Sequence, residues 1–172
     1  MPAGHSFGVP LVSGKEPTAE ATVSEQHQDA SHDAVMTRIG QATMLLHGGD
    51  REEARNRLQD LWGQIGADGD PLHRCTLAHY MADTQDDPGD ELAWDLRALT
   101  AAESVGEGRF TRALYPSLHL NLAADYLKLR RPDAARIHLD RARAASDVLE
   151  DDGYGTGVRA AIDRLDRRLR TE

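Results

Sequence analysis

Residues 118–145 read LHLNLAADYLKLRRPDAARIHLDRARAA, and this stretch decides the fold. Leu118, Leu122, Tyr126 and Leu129 lie four, four and three residues apart, the spacing that places side chains on one face of a helix. After the tight turn Arg130-Arg131-Pro132-Asp133, Ala135, Leu139 and Ala142 repeat the pattern at four and three. Two antiparallel helices joined by a short turn follow.

Working outward, the same alternation of periodic segment and turn recurs. A helix is expected from Ser31, its N-cap, through Val35, Met36, Ile39, Ala42, Leu45 and Leu46 to His47, where Gly48-Gly49-Asp50 ends it. Asp50 then caps a second helix whose first turn holds Glu52 and Glu53, with Ala54, Leu58, Leu61 and Ile65 along one side. Asp70-Pro71 opens a third, running to about Thr84. The run Asp86–Asp90 breaks it, and a fourth helix is expected from Asp90 to about Val105 with Leu92, Trp94, Leu96, Leu99 and Ala102 as its apolar positions. Gly106 to Gly108 closes that helix. The run Gly153–Gly157 has no preceding strand and no following lysine, which reads as a flexible hinge and not a phosphate loop. A seventh helix from Val158 to Arg170 carries Val158, Ile162, Leu165 and Leu169 on one side.

Leu122-Ala123, Tyr126, the turn Arg130–Asp133, Ala135, Leu139 and Ala142 form a series of large, small, aromatic, turn, small, large, small, which resembles the tetratricopeptide repeat. Gly49-Asp50-Arg51-Glu52-Glu53-Ala54 is similar to that family's turn, with Leu45 at the aromatic place. Ala54, Ala93 and Ala135, taken as equivalent, are 39 and 42 residues apart. The family repeats at roughly 34, and the extra residues fall in the loop-like stretches 86–88 and 106–111. The resemblance spans about residues 32–170. It implies an all-α, right-handed superhelix of three antiparallel helix pairs plus a C-terminal capping helix, occupying residues 31–172 behind a flexible acidic tail, 1–30.

The resemblance also implies a function: a non-enzymatic protein–protein interaction module, adaptor or regulator, that receives a peptide or partner helix in a concave groove and needs no cofactor. The groove residues it implies are Ile39, Thr43 and His47 on the first helix, Cys75, His79 and Asp83 on the third, and Leu120, Asn121, Ala124 and Lys128 on the fifth. Chaperone-binding members of the family clamp a carboxylate with paired Lys, Asn and Arg; Asn121, Lys128 and Arg74 do not reproduce that set.

Composition narrows the classes. A formal net charge of −9 and a pI near 5.3 leave no surplus of Lys and Arg for phosphate contacts, so a nucleic-acid partner is not expected. Cys75 is the only cysteine, which rules out an intramolecular disulfide and suits a reducing compartment. No run of 18 apolar residues and no leader pattern occurs, so a cytoplasmic protein without a membrane partner is expected. Cys75, His79 and Asp83, each four residues after the last, form one helical stripe and offer a competing reading: a metal- or thiol-dependent site, with His47 or His119 completing a ligand set. In the tail, Phe7–Val12 is an isolated apolar segment of the kind a groove accepts.

Overall fold

Helix ends set the architecture. The computed structural model describes residues 34–106 and 108–171; the Ser31 cap, the Phe7–Val12 segment and the expected tail lie outside the described residues. Helix α1, residues 34–47, stops where Gly49 enters the left-handed region at φ 93°, with the Gly49 N–H donating to the Leu46 carbonyl and the Asp50 N–H to the Leu45 carbonyl at 3.1 and 2.9 Å. Helix α5 (Arg109–Lys128) stops the same way at Arg130, φ 56°, with Arg130 N–H on the Leu127 carbonyl and Arg131 N–H on the Tyr126 carbonyl at 3.0 and 2.8 Å. This paired bonding satisfies the last carbonyls of a helix and reverses the chain.

The helices that leave these turns share a register as well. α2 (Arg51–Ile65) follows Asp50 and buries Ala54, Leu58 and Leu61; α6 (Pro132–Ala145) follows Arg131 and buries Ala135, Leu139 and Ala142. In both, the buried residues are the fourth, eighth and eleventh after the cap position. Asp50 holds the cap position without a side-chain cap bond.

The middle pair departs from expectation in an informative way. α3 (Pro71–Asp83) begins as read, Asp70 accepting hydrogen bonds from the Leu72 and His73 N–H groups at 2.9 and 3.0 Å. α4 (Pro88–Ser104) begins two residues earlier than Asp90, because the Asp87 carboxylate accepts from Gly89 and Asp90 N–H at 2.7 and 3.1 Å and Pro88 fits the first turn, where no N–H is needed. The fourth, eighth and eleventh residues after that cap are Glu91, Asp95 and Ala98. Leu96, expected on the apolar side, is exposed, and the face against the core consists of Asp95, Ala98, Ala101 and Ala102.

Cores form between successive pairs. Ile39 and Ala42 of α1, Leu58 and Leu61 of α2, and Leu77 and Met81 of α3 make one cluster. At its border Trp62 meets Trp94 edge to face, centroids 5.1 Å apart, and the Arg74 and Arg97 guanidinium groups lie over the two indoles. Arg51 and Arg55 of α2 reach across to Asp86 in the turn between α3 and α4 at 3.1 and 2.8 Å. α5 starts at Arg109, inside the stretch read as loop, and its Leu118 joins Cys75, Ala78 and the α4 alanines in a second cluster.

A third cluster holds α7 (Gly153–Leu169) on α5 and α6 through Val158, Ile162 and Leu169, with Leu165 at its edge, as the periodicity predicts. The glycine run is not a hinge. Gly153–Gly157 forms the opening of α7, capped by Asp152 accepting from Gly155 N–H at 2.7 Å. Gly155 is buried against the Glu150 carbonyl, and a Cβ there would overlap that oxygen. Gly155→Ala should therefore lower stability by about 1–2 kcal/mol in urea unfolding, although alanine is the better helix former. A gain in stability would show that helix propensity outweighs the contact. Every described residue outside the turns is helical, and no helix among them is long and apolar enough to cross a membrane.

Candidate functional site

Glu91 and Asp95 stand where the neighbouring pairs carry Ala54 and Leu58, or Ala135 and Leu139. Leu58 and Leu139 are 0% and 2% exposed, and Asp95 in the same register is 2% exposed. A carboxyl group thus fills a slot built for an apolar side chain. Across from it, α5 contributes Asp125, 1% exposed, one turn beyond Asn121 and one turn before Lys128. Asp125 faces Asp95, and among the described residues no hydrogen-bond partner reaches Asp95 Oδ1 or Asp125 Oδ2. Two neighbouring carboxyls out of water disfavour each other's charge, so one of them keeps its proton more readily. Burial, followed by the adjacent Asp95 charge and hydrogen bond, accordingly pushes Asp125 up to about 8.

The rim comes from α3 and α5. Asn121 Nδ2 donates to His79 Nδ1 at 3.1 Å, and the same ring nitrogen lies 3.8 Å from Asp95 Oδ1, beyond hydrogen-bond range but close enough for charge attraction. Burial disfavours the imidazolium, yet Asp95 and Asp83 outweigh it and raise His79 above its ordinary value. Lys128 Nζ bridges Glu91 and Asp125 at 2.5 and 3.5 Å. Its ammonium is held charged by those two carboxyls against the effect of burial. The junction of α3, α4 and α5 therefore gathers Asp83, Glu91, Asp95 and Asp125 around two basic groups, His79 and Lys128. The surplus is acidic.

Of the residues expected to line a groove, the structure brings together His79, Asn121 and Lys128, with exposed Asp83 one turn along from His79. Ala124 lies beside them on α5, half-buried. Ile39 and Cys75 are core residues, 2% and 3% exposed, and present nothing to a partner. Leu120 packs toward α6 and α7, Thr43 turns its hydroxyl onto the Ile39 carbonyl of its own helix, and His47 is exposed at the end of α1. Burial, then the Asp95 charge, pushes the Cys75 thiol up to about 11, which keeps it protonated and unreactive near neutral pH. Among the described residues no three or more His, Cys, Asp or Glu converge as a metal site would require.

Asp95, Asp125 and Glu91 escape the sequence reading. The signal for Asp125 is its place in the stripe Asn121, Asp125, Lys128, at spacings of four and three; for the other two it is the register counted from Asp87. Fold and site define a protein that is all-helical among the described residues, with an acidic cluster at the junction of α3, α4 and α5. No protein-family model, curated protein or solved structure matches the chain.

Proposed function

We propose that this chain is a non-enzymatic interaction module of tetratricopeptide-like build. In this reading α1–α2, α3–α4 and α5–α6 stack as a right-handed superhelix closed by α7, and a partner peptide lies on the face shared by α3 and α5. The matching turns at Gly49 and Arg130, and the matching register of α2, α4 and α6, support a repeated unit.

One observation carries the functional half: α4 has buried Asp95 and half-buried Glu91 where α2 and α6 have apolar residues, and α5 sets buried Asp125 opposite them. Well-packed hydrophobes in such positions commonly give equal or greater stability than buried charge, so Glu91, Asp95 and Asp125 are better explained by recognition than by folding. Half-exposed polar side chains, His79 and Asn121, lie directly above them. Buried acids beneath a polar rim on facing helices make a binding surface.

A displayed random-peptide selection on the full chain tests this. Selected peptides should lose about tenfold or more in affinity for the His79→Ala/Lys128→Ala double variant, since both side chains border the surface. Binding within about twofold of the parent would place the peptide elsewhere, and failure to select any peptide would overturn the module reading.

A further inference from the structure

Resting on that reading, we propose that the Asp95–Asp125 pair is a subsite for one cationic group of the partner, the guanidinium of an arginine being the best fit. Two carboxyl oxygens, Asp95 Oδ1 and Asp125 Oδ2, lie buried without a hydrogen-bond partner among the described residues. They come from different helices, and a planar guanidinium offers several N–H donors in a fixed fork that can serve two such acceptors together. Asp83 on α3 and Glu91 on α4 add negative charge at the mouth. The two basic groups of the cluster are already engaged, Lys128 with Glu91 and Asp125, and His79 between Asn121 and Asp95.

The entrance is His79 itself. Its side chain is 30% exposed, and its bond to Asn121 is a single contact between two side chains, so rotation of the ring off Asn121 is the movement by which a guanidinium would reach the carboxyls. An anion would meet four acidic residues at this point, which excludes a carboxylate or phosphate as occupant.

The facing titratable groups are Cys75, His79 and Asp83 on α3, Glu91 and Asp95 on α4, and Asp125 and Lys128 on α5. Of these, Asp125 is the carboxyl that burial beside Asp95 keeps protonated, and an entering cation would displace that proton. Cation binding should therefore release a proton to solvent and tighten as pH rises toward about 8, where Asp125 gives that proton up.

The test is an amide NMR titration of the full chain with N-acetyl-argininamide at about pH 8, alongside N-acetyl-lysinamide and the neutral isostere N-acetyl-citrullinamide. Saturable shifts at Asp95, Asp125, His79 and Asn121 are expected with the arginine probe at millimolar concentration, about tenfold weaker with citrulline. They should be lost in Asp95→Asn/Asp125→Asn, whose unchanged or higher melting temperature shows that it folds. Equal or stronger binding of the lysine probe also supports a cation subsite and identifies its ligand as ammonium. Equal binding of citrulline, or no shift with any probe, overturns the subsite. A protein that selects peptides yet ignores the charged probes keeps the module and loses the subsite; one that binds argininamide but selects no peptide does the reverse.

Discussion

Asp125→Asn should make this protein more stable at pH 8 and remove much of the dependence of its stability on pH above about 6.5. Burial, then the neighbouring Asp95, pushes the Asp125 carboxyl up to about 8 in the folded protein, far above the value of about 3.9 expected in an unfolded chain. Between those values the folded state binds a proton that the unfolded state does not. The stability this provides is complete below about pH 4 and is lost as pH rises through about 8, on the order of 2 kcal/mol between pH 6 and 8.

His119 acts in the opposite sense. Burial, then the charges of His138 and Arg141, push it down to about 4, below an unfolded value of about 6.5, so its contribution is lost as pH falls between those limits. The two slopes offset each other from about pH 4 to 6.5; above that the carboxyl slope dominates, and His79, raised above its ordinary value, adds to it in the same direction. Asparagine at position 125 can donate its amide N–H to Asp95 at any of these pH values, which replaces the titrating proton with a permanent one. Urea midpoints at pH 6, 7 and 8 measure the effect. A wild-type protein equally stable at pH 6 and 8, or a variant that keeps the wild-type slope, would show that Asp125 is not the titrating group.

Leu139→Ala should cost about 2–5 kcal/mol, the largest loss expected from a single truncation in the α5–α6–α7 core. Leu139 is 2% exposed and packs among Ala123, Leu127, Val158 and Ile162, so the methyl groups removed leave a cavity that three helices would have to shift to fill. Ile137, two residues away on the same helix, is 53% exposed and supplies the control. Ile137→Ala removes a comparable side chain and should stay within about 0.5 kcal/mol. Similar losses at the two positions in denaturant unfolding would contradict the orientation of α6.

The helices themselves were written in the chain. Periodicity placed α2, α6 and the apolar side of α7, because each has one stripe of Ala, Leu, Ile or Val that must leave water whatever it meets. Turn chemistry placed the ends at Gly49 and Asp70 for a similar reason: a backbone in the left-handed region or a run of unsatisfied N–H groups is a local problem with a local solution. Arg130 shows the limit of that rule, since it adopts the left-handed conformation in a turn that carries no glycine.

What periodicity could not supply was the role of polar residues. Starting α4 at Asp90 and taking Ala93 as the equivalent of Ala54 and Ala135 shifted its register by two residues from the one Asp87 sets, and hid Glu91 and Asp95. Two competing aspartates within four residues gave sequence reasoning no basis for choosing between them, and the packing of α4 between α3 and α5 made the choice. Gly155 was misread for a related reason: its need for a bare Cα arises from the Glu150 carbonyl, which reaches it only when the chain folds back there. Asp95 and Asp125 lie 30 residues apart, and each alone is an ordinary surface-type residue. Only when α4 and α5 pack together do the two carboxyls come out of water within reach of each other, and that shared loss of solvent is what turns them into a site.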